Sequence, residues 1–229
     1  MTVCHPEKLL YSKKTRKKHA MNKVGEGRYG QVTVGCTNAT CVRTIAVKKS
    51  RDDMSEEFRI LKKAYKAVPE HVPQPYKEFD CAGGSIMYFE YIPSKTLAQY
   101  TKVTMNVLFE ILVTIYMLHK AGVYHNDVHL NNILMETGTR VPYITDFGLA
   151  TTKPYIDERY DYQLFLNNVY TFMDDSPARS FIKMVIPKEY LGKTSSKIDK
   201  YRLRSGVSHS KLPTLKRIIT ELQKNIEVH

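Results

Sequence analysis

The sequence lacks the cysteine spacings that are typical of zinc sites and of disulfide-rich domains. Its 229 residues include four cysteines, and no two of them form a Cys-x-x-Cys pair. They are Cys4, Cys36, Cys41 and Cys81. This scarcity argues against a zinc site or a disulfide framework and favours a reducing compartment. We therefore expect a cytoplasmic protein.

The sequence also lacks a hydrophobic run that could cross a bilayer. The longest apolar stretch, residues 107–118, is interrupted by Glu110. It is shorter than the roughly 20 residues that a transmembrane helix needs. Residues 1–20 are basic and contain no apolar core of the kind found in secretory signals. We therefore expect no integral membrane association.

Acidic residues are in short supply. There are 23 Asp and Glu against 35 Lys and Arg, which gives a formal net charge of +12. The densest basic cluster, residues 13–19, lies in an arm over residues 1–19, and a second basic zone covers 193–216. Such charge favours a polyanionic partner, such as nucleic acid, an acidic protein or membrane phosphate. A solvated tail that keeps the protein soluble explains the arm equally well.

What the chain does have is the composition of a globular protein, with 42% hydrophobic and 25% charged residues. Hydrophobic periodicity predicts β-structure and one helix, over residues 54–67, before Pro93, and mainly helices after it. The other predicted helices cover residues 97–100, 107–121, 161–173 and 212–226. We therefore expect an α+β fold in which one domain, 20–229, has a five-stranded N-terminal lobe (20–91) and a helical C-terminal lobe (94–229).

A glycine-rich turn, Gly25-x-Gly27-x-x-Gly30, lies between two predicted strands. Glycines have no Cβ, so backbone N–H groups at such a turn can approach phosphates closely. Taken alone the pattern is weak, because a simple hairpin turn has the same residues. The strand that follows it argues against a dinucleotide-binding fold, which needs a helix there. Lys48, on the next predicted strand, adds a cation and argues against a simple hairpin.

Two later motifs carry side chains suited to metal and proton chemistry. His125-Asn126-Asp127 is followed by Asn132, which places an Asp and an Asn five residues apart. Asp146-Phe147-Gly148 then places a second Asp at a tight glycine turn. Carboxylate and amide oxygens are suitable ligands for Mg²⁺, and a carboxylate can accept or orient the proton of a hydroxyl.

These motifs, in this order, resemble those of eukaryotic-like protein kinases over about residues 25–161. With a reduced C-terminal lobe, the chain resembles the compact serine/threonine kinases of large DNA viruses. The resemblance implies a bilobal kinase fold whose five-stranded N-terminal lobe has one helix and whose C-terminal lobe is reduced. It implies ATP as the phosphate donor, Mg²⁺ as the ion with Mn²⁺ as the alternative, and a protein substrate. For a viral protein it implies the host cytoplasm or the virion.

The resemblance also assigns roles to individual residues. Asp127 would be the catalytic base, Lys48 would contact the phosphates, and His129 would contact the γ-phosphate where serine/threonine kinases usually have Lys. Glu57 would hold Lys48, although Glu56, about 100° away on the same helix, is an alternative. The metal ligands would be Asn132 and Asp146. The nucleotide-binding residues would be Gly25, Gly27, Gly30, Val32, Ala46, Lys48, Glu57, Glu90, Ile92 and Leu134.

Two further departures from the family concern the activation segment. Asn126 stands where many regulated kinases have an Arg that binds a phosphorylated activation segment. The chain also lacks the Ala-Pro-Glu sequence, and its segment 148–161 is short. We therefore expect activity without phosphorylation of residues 149–160.

Three functional interpretations stay open. The first is a protein serine/threonine kinase, which the glycine-rich turn and the Asp-Phe-Gly sequence favour. The second is a small-molecule kinase of the choline or aminoglycoside type, which shares the catalytic-loop pattern and often has a short activation segment. The third is a pseudokinase or an anion-binding module. The complete set of motif residues argues against this third interpretation.

Overall fold

The structure, a computed structural model, describes residues 22–27, 30–81, 83–154, 157–192 and 211–227. The chain divides into two compact units, Met1–Ile92 and Pro93–His229. The basic arm over residues 1–19 and most of the second basic zone lie outside the described residues, so their predicted roles stay predictions.

The first unit is built on an antiparallel sheet of five strands in the order β1-β2-β3-β5-β4. Helix α1 spans Ser55–Ala67 and lies against β4. The strands are β1 Asn22–Gly27, β2 Gly30–Cys36, β3 Thr44–Ser50, β4 Pro75–Cys81 and β5 Gly84–Glu90. The predicted five-stranded lobe with one helix is therefore confirmed.

The burial of α1 explains why the sequence pattern located it. Phe58, Leu61 and Ala64 are buried and recur every three residues, which places them along one face of the helix. In the sheet, Ile45 and Val47 of β3 form a buried cluster with Ile86 of β5. Lys48 on β3 and Glu57 on α1 therefore lie on elements that are held in place by buried apolar side chains.

The β2–β3 hairpin contains a disulfide that the sequence analysis did not predict. Cys36 is bonded to Cys41, and their Cα atoms lie 4.8 Å apart. The expectation of no disulfide is therefore wrong for this pair. β2 ends at Cys36 and β3 begins at Thr44, so the reversal of the chain brings the two cysteines within bonding range.

The second unit is mainly helical, as predicted, and it also contains a small sheet. Its helices are α2 Met105–Lys120, α3 Tyr160–Phe172, α4 Pro177–Val185 and α5 Leu215–Glu227. The antiparallel sheet contains β6 Ser94–Thr96, β7 Ile133–Glu136 and β8 Pro142–Ile144. Strands of three or four residues are too short to show a period, which is why the sequence did not reveal them.

Buried α2 and α3 support the loops that carry the motif residues. Leu108, Ile111, Leu112 and Ile115 of α2 are almost fully buried, and α2 packs on α5. Residues 121–132 run from α2 to β7, and residues 145–154 follow β8. Among the helices of the described ranges, none is long and apolar enough to cross a membrane.

Candidate active site

In the first unit, Lys48 and Glu57 form a buried ion pair. Lys48 Nζ lies 2.7 Å from Glu57 Oε1 and 3.0 Å from Oε2. The two side chains are only 8% and 11% exposed. Glu56, the alternative, bonds to Arg59 on the exposed side of α1. Glu57, rather than Glu56, is therefore the residue of α1 that is bonded to Lys48.

The structure describes both strands of the glycine-rich hairpin. Residues 28 and 29, between them in sequence, lie outside the described ranges. Gly25 pairs with Val32, and Gly27 pairs with Gly30. Val32 is also the partner of Lys48 across the β2–β3 ladder. Ala46 is buried on the same strand as Lys48. The ladder therefore links the glycine-rich turn directly to the strand that carries the lysine.

The residues predicted to meet the adenine belong to different elements. Glu90 ends β5, where its N–H donates to Gln74 O at 2.8 Å and its carboxylate accepts from Gln74 N–H at 3.1 Å. Ile92 is buried. Leu134, in the second unit, lies on β7 between Thr96 and Tyr143 of the neighbouring strands. Their adenine contacts stay predictions.

In the second unit, Asp127 and Asn132 are joined by hydrogen bonds. Asn132 Nδ2 donates to the backbone oxygen of Asp127 at 3.0 Å and to its Oδ2 at 3.1 Å. Because the amide nitrogen faces Asp127, Oδ1 is the atom of Asn132 that can bind a metal. His129 Nε2 lies 3.4 Å from Asp127 Oδ2. The structure thus places the predicted base, one predicted metal ligand and His129 together.

The electrostatics of this cluster favour its charged forms. Burial by itself would raise the pKa of Asp127, but the hydrogen bond and charge of His129, with His125 and Asn132, outweigh burial and lower it. The hydrogen bond to Asp127 raises the pKa of His129 above its ordinary value of 6.5, although burial opposes the effect. Asp127 is therefore held as a carboxylate that can accept a bond from a hydroxyl.

Asp146 is held next to this cluster by the residue before it. The N–H and the hydroxyl of Thr145 both donate to Asn132 O, at 2.9 and 3.2 Å. Asp146 itself has a left-handed backbone with φ 61°, a conformation that Asp tolerates better than most residues. The two predicted metal ligands are therefore connected through one pair of hydrogen bonds.

The donor set fits a hard cation that also binds phosphate. Asn132 and Asp146 offer oxygen atoms, as Mg²⁺ requires, and Mg²⁺ usually completes its shell with phosphate and water. In the described part of the chain, no three His, Cys, Asp or Glu residues are grouped so that they could hold a metal ion by themselves. Asn132 and Asp146 could therefore supply oxygen ligands to such an ion.

His125 has a structural position. Its ring packs on the ring of Phe147, with centroids 4.8 Å apart. Its Nε2 lies 3.0 Å from Thr145 O, and its Nδ1 accepts from Asp127 N–H at 3.2 Å. The residue is buried, and both ring nitrogens bond to backbone. His125 therefore connects the loop that carries Asp127, the catalytic loop, to the Asp-Phe-Gly turn.

Asp161, in the first turn of α3, supports the catalytic loop together with His119, a partner that was not predicted from the sequence. The carboxylate of Asp161 accepts from the N–H groups of His125 and Asn126 at 2.9 and 2.7 Å. His119 Nε2 lies 2.8 Å from the same carboxylate. His119 is 42 residues before Asp161 in the chain. No local pattern could have shown this contact, which depends on α2 and α3 lying side by side.

Comparison with known proteins identifies the family. The family model described as the protein kinase domain matches residues 18–165, which is more than half of the chain. The chain therefore belongs to the protein kinase domain family. The matched span contains the motif residues from Gly25 to Asp161.

Several curated relatives are similar over part of the chain. It is 33% identical over 76 residues to the "Negative regulator of sexual conjugation and meiosis" of Schizosaccharomyces pombe, covering 33% of this chain and 16% of that protein. It is 28% identical over 158 residues to the human "Serine/threonine-protein kinase MAK", covering 60% of this chain and 24% of that protein. It is 25% identical over 196 residues to "Serine/threonine-protein kinase PknD" of Chlamydia caviae, covering 74% and 20%. The matches thus span less than a quarter of the length of each relative.

Proposed function

We propose that this chain is a protein serine/threonine kinase that transfers the γ-phosphate of Mg-ATP to a protein hydroxyl. The observation that carries the proposal is a cluster of hydrogen bonds. Asn132 bonds to the carboxylate of Asp127, and Thr145, the residue before Asp146, bonds to Asn132. Family membership and relatives that are named as serine/threonine kinases support the same activity.

Each residue of the cluster has a role in this proposal. Asp127 would orient the acceptor hydroxyl and take its proton, a task for which its lowered pKa keeps it ionised. Asn132 and Asp146 would hold Mg²⁺, or Mn²⁺ as the alternative. When bound, the ion neutralises charge on the phosphate oxygens. Lys48, held by Glu57, would bind the α- and β-phosphates.

The remaining contacts of the nucleotide are proposed from the family resemblance. Backbone N–H groups of the glycine-rich turn would bind phosphate oxygens, since no Cβ blocks their approach. Apolar side chains and the backbone at the end of β5 would hold the adenine. These residues are Gly25, Gly27, Gly30, Val32, Ala46, Glu90, Ile92 and Leu134.

His129 is proposed to donate to the γ-phosphate as an imidazolium. Its ion pair with Asp127 raises its pKa and so increases the charged fraction near neutral pH. The same pair competes with the phosphate for the imidazolium proton. We therefore propose that His129 moves its bond from Asp127 to the phosphate when the nucleotide is bound.

A labelling panel tests the proposal. The full chain is incubated with γ-labelled ATP and Mg²⁺ in the presence of a basic protein, an acidic protein or a set of small alcohols. Label on serine or threonine of a protein supports the proposal, and label on a small alcohol selects the small-molecule kinase instead. Absence of turnover with Mg²⁺ and with Mn²⁺ selects the pseudokinase.

Variants connect the activity to the site. Lys48→Met and Asp146→Asn should each lower phosphotransfer by several orders of magnitude, because each removes charge stabilisation of the transferred group. Lys49→Met, on the next residue of the same strand, is the matched control and should keep most of the activity. Near wild-type rates in a folded Lys48→Met variant would show that the motif assignment is wrong.

Three broader statements are also proposals. We propose a basic arm over residues 1–19 that contacts a polyanionic partner, followed by one kinase domain over 20–229. We propose the cytoplasm as the location, and the host cytoplasm or virion if the chain is viral. The Cys36–Cys41 disulfide counts against a reducing compartment. A thiol assay on the protein isolated under alkylating conditions decides that point.

A further inference from the structure

The side chain of Asn126 bonds the catalytic loop to the segment that follows the Asp-Phe-Gly turn. Its Nδ2 lies 3.0 Å from Leu149 O and 3.0 Å from Thr151 Oγ1. A third acceptor, Tyr124 O, is 3.3 Å away. An amide has two protons, so the two shorter bonds use both, and the longer contact is shared. One side chain thus connects two loops that are more than 20 residues apart in the chain.

The backbone of Asn126 is held just as firmly. Its N–H donates to Asp161 Oδ1 at 2.7 Å. Its φ is 63°, a left-handed conformation that Asn adopts at lower cost than most residues other than Gly. An asparagine at this position therefore combines the backbone conformation with two side-chain donors, which glycine cannot supply.

Thr151, on the other side of this contact, also has hydrogen-bond partners for its backbone and its hydroxyl. Thr151 N–H donates to Tyr124 O at 2.8 Å, and Tyr124 N–H donates to Thr151 O at 2.9 Å. The Thr151 hydroxyl accepts from Asn126 and donates to Lys153 O at 2.5 Å. Its single proton is therefore already committed within the segment.

We infer that Asn126 is a positioning residue whose amide holds residues 149–151 against the catalytic loop without any phosphate. In many regulated kinases an Arg at this position does the equivalent work by binding a phosphorylated residue. A phosphate on Thr151 would remove the hydroxyl proton that bonds to Lys153 O, so that modification would loosen this segment. The effect on catalysis rests on the proposed kinase function, whereas the contact itself does not.

The contact is tested by amide hydrogen exchange on the full chain. Asn126→Gly removes the side-chain donors and keeps the left-handed backbone accessible. Thr151→Val removes the hydroxyl at nearly constant shape. Each change should accelerate exchange at Tyr124 and Thr151 about tenfold, the size expected for one hydrogen bond, with α2 core amides unchanged. Thr152→Val, on the exposed neighbour, is the matched control and should leave exchange unchanged.

The double variant shows whether both residues act through one bond. Thr151→Val should accelerate exchange less in the Asn126→Gly background than in the wild type. Equal acceleration in both backgrounds, or no acceleration in either single variant, would overturn the inference.

Steady-state kinetics then tests the positioning role. Asn126→Gly should lower kcat about tenfold and change the KM for ATP less than twofold, because Asn126 adjoins Asp127, the proposed base, and is not among the residues proposed to bind the nucleotide. Unchanged kcat with accelerated exchange would overturn the positioning role. If the wild-type chain transfers no phosphate at all, the proposed function fails, and the exchange data still decide whether the contact exists.

Discussion

Replacing Asp161 by Asn should destabilise the second unit with almost no change in side-chain shape. The carboxylate, 3% exposed, accepts bonds from the N–H groups of His125 and Asn126 and from His119. An asparagine has only one acceptor oxygen. Whichever way its amide is turned, its NH₂ group faces one of the two backbone N–H groups, donor against donor.

The expected loss of stability follows from the number of hydrogen bonds that the substitution disturbs. A hydrogen bond to a charged group contributes about 1.5–3 kcal/mol, and a buried donor left without a partner adds to the loss. We expect Asp161→Asn to lower the free energy of unfolding by about 3 kcal/mol, a large part of the 5–15 kcal/mol typical of a domain. Urea unfolding at neutral pH, with the midpoint and the slope both fitted, measures it. The kcat for phosphotransfer should also fall, because His125 and Asn126 position Asp127.

Asp157→Asn is the control for this prediction. Asp157 Oδ1 accepts from Arg159 N–H at 2.7 Å just before α3, but its side chain is 24% exposed. Water can replace part of the lost bond, so we expect a loss of less than about 1 kcal/mol. If Asp161→Asn lowered the free energy of unfolding no more than Asp157→Asn, the buried bonds of Asp161 would not have the importance assigned to them.

Three further predictions concern the charged groups. Glu57→Gln should lower kcat at least tenfold, whereas Glu56→Gln should leave it unchanged, because Glu57 bonds to Lys48 and Glu56 bonds to Arg59; equal effects in kinetic assays would contradict the pairing. The pKa of His129 is raised above 6.5, so its imidazolium is lost as the pH rises through that higher value, and the rate should fall over the same range. His129→Lys should flatten this fall in a pH–rate profile. A profile of unchanged shape would show that the imidazolium of His129 does not contribute to the rate. Deleting residues 1–18 should leave the affinity for ATP unchanged and reduce the salt dependence of binding to a polyanion, and a lower Tm instead would mean that the arm packs on the folded protein.

The residue types in the motifs are enough to show which chemistry this chain can carry. Asp127, Asn132 and Asp146 lie in short motifs, and the type of each side chain decides whether it can bind a cation or a proton wherever it lies in space. Periodicity likewise located α1, because an amphipathic helix must bury every third or fourth residue to pack on a sheet. These features depend on neighbours within one or two turns of chain, so they can be read without a structure.

What each of those residues contacts depends on how the helices and strands pack. The contact of His119 with Asp161, the bonds of Asn126 to Leu149 and Thr151, and the Cys36–Cys41 disulfide were all absent from the sequence analysis. Each joins atoms whose separation depends on helix packing or on the register of a hairpin. Hydrogen bonds and disulfides form only within a few tenths of an ångström of their preferred length. Spacing along a chain cannot specify distances so closely, and only the packing of elements brings such atoms together.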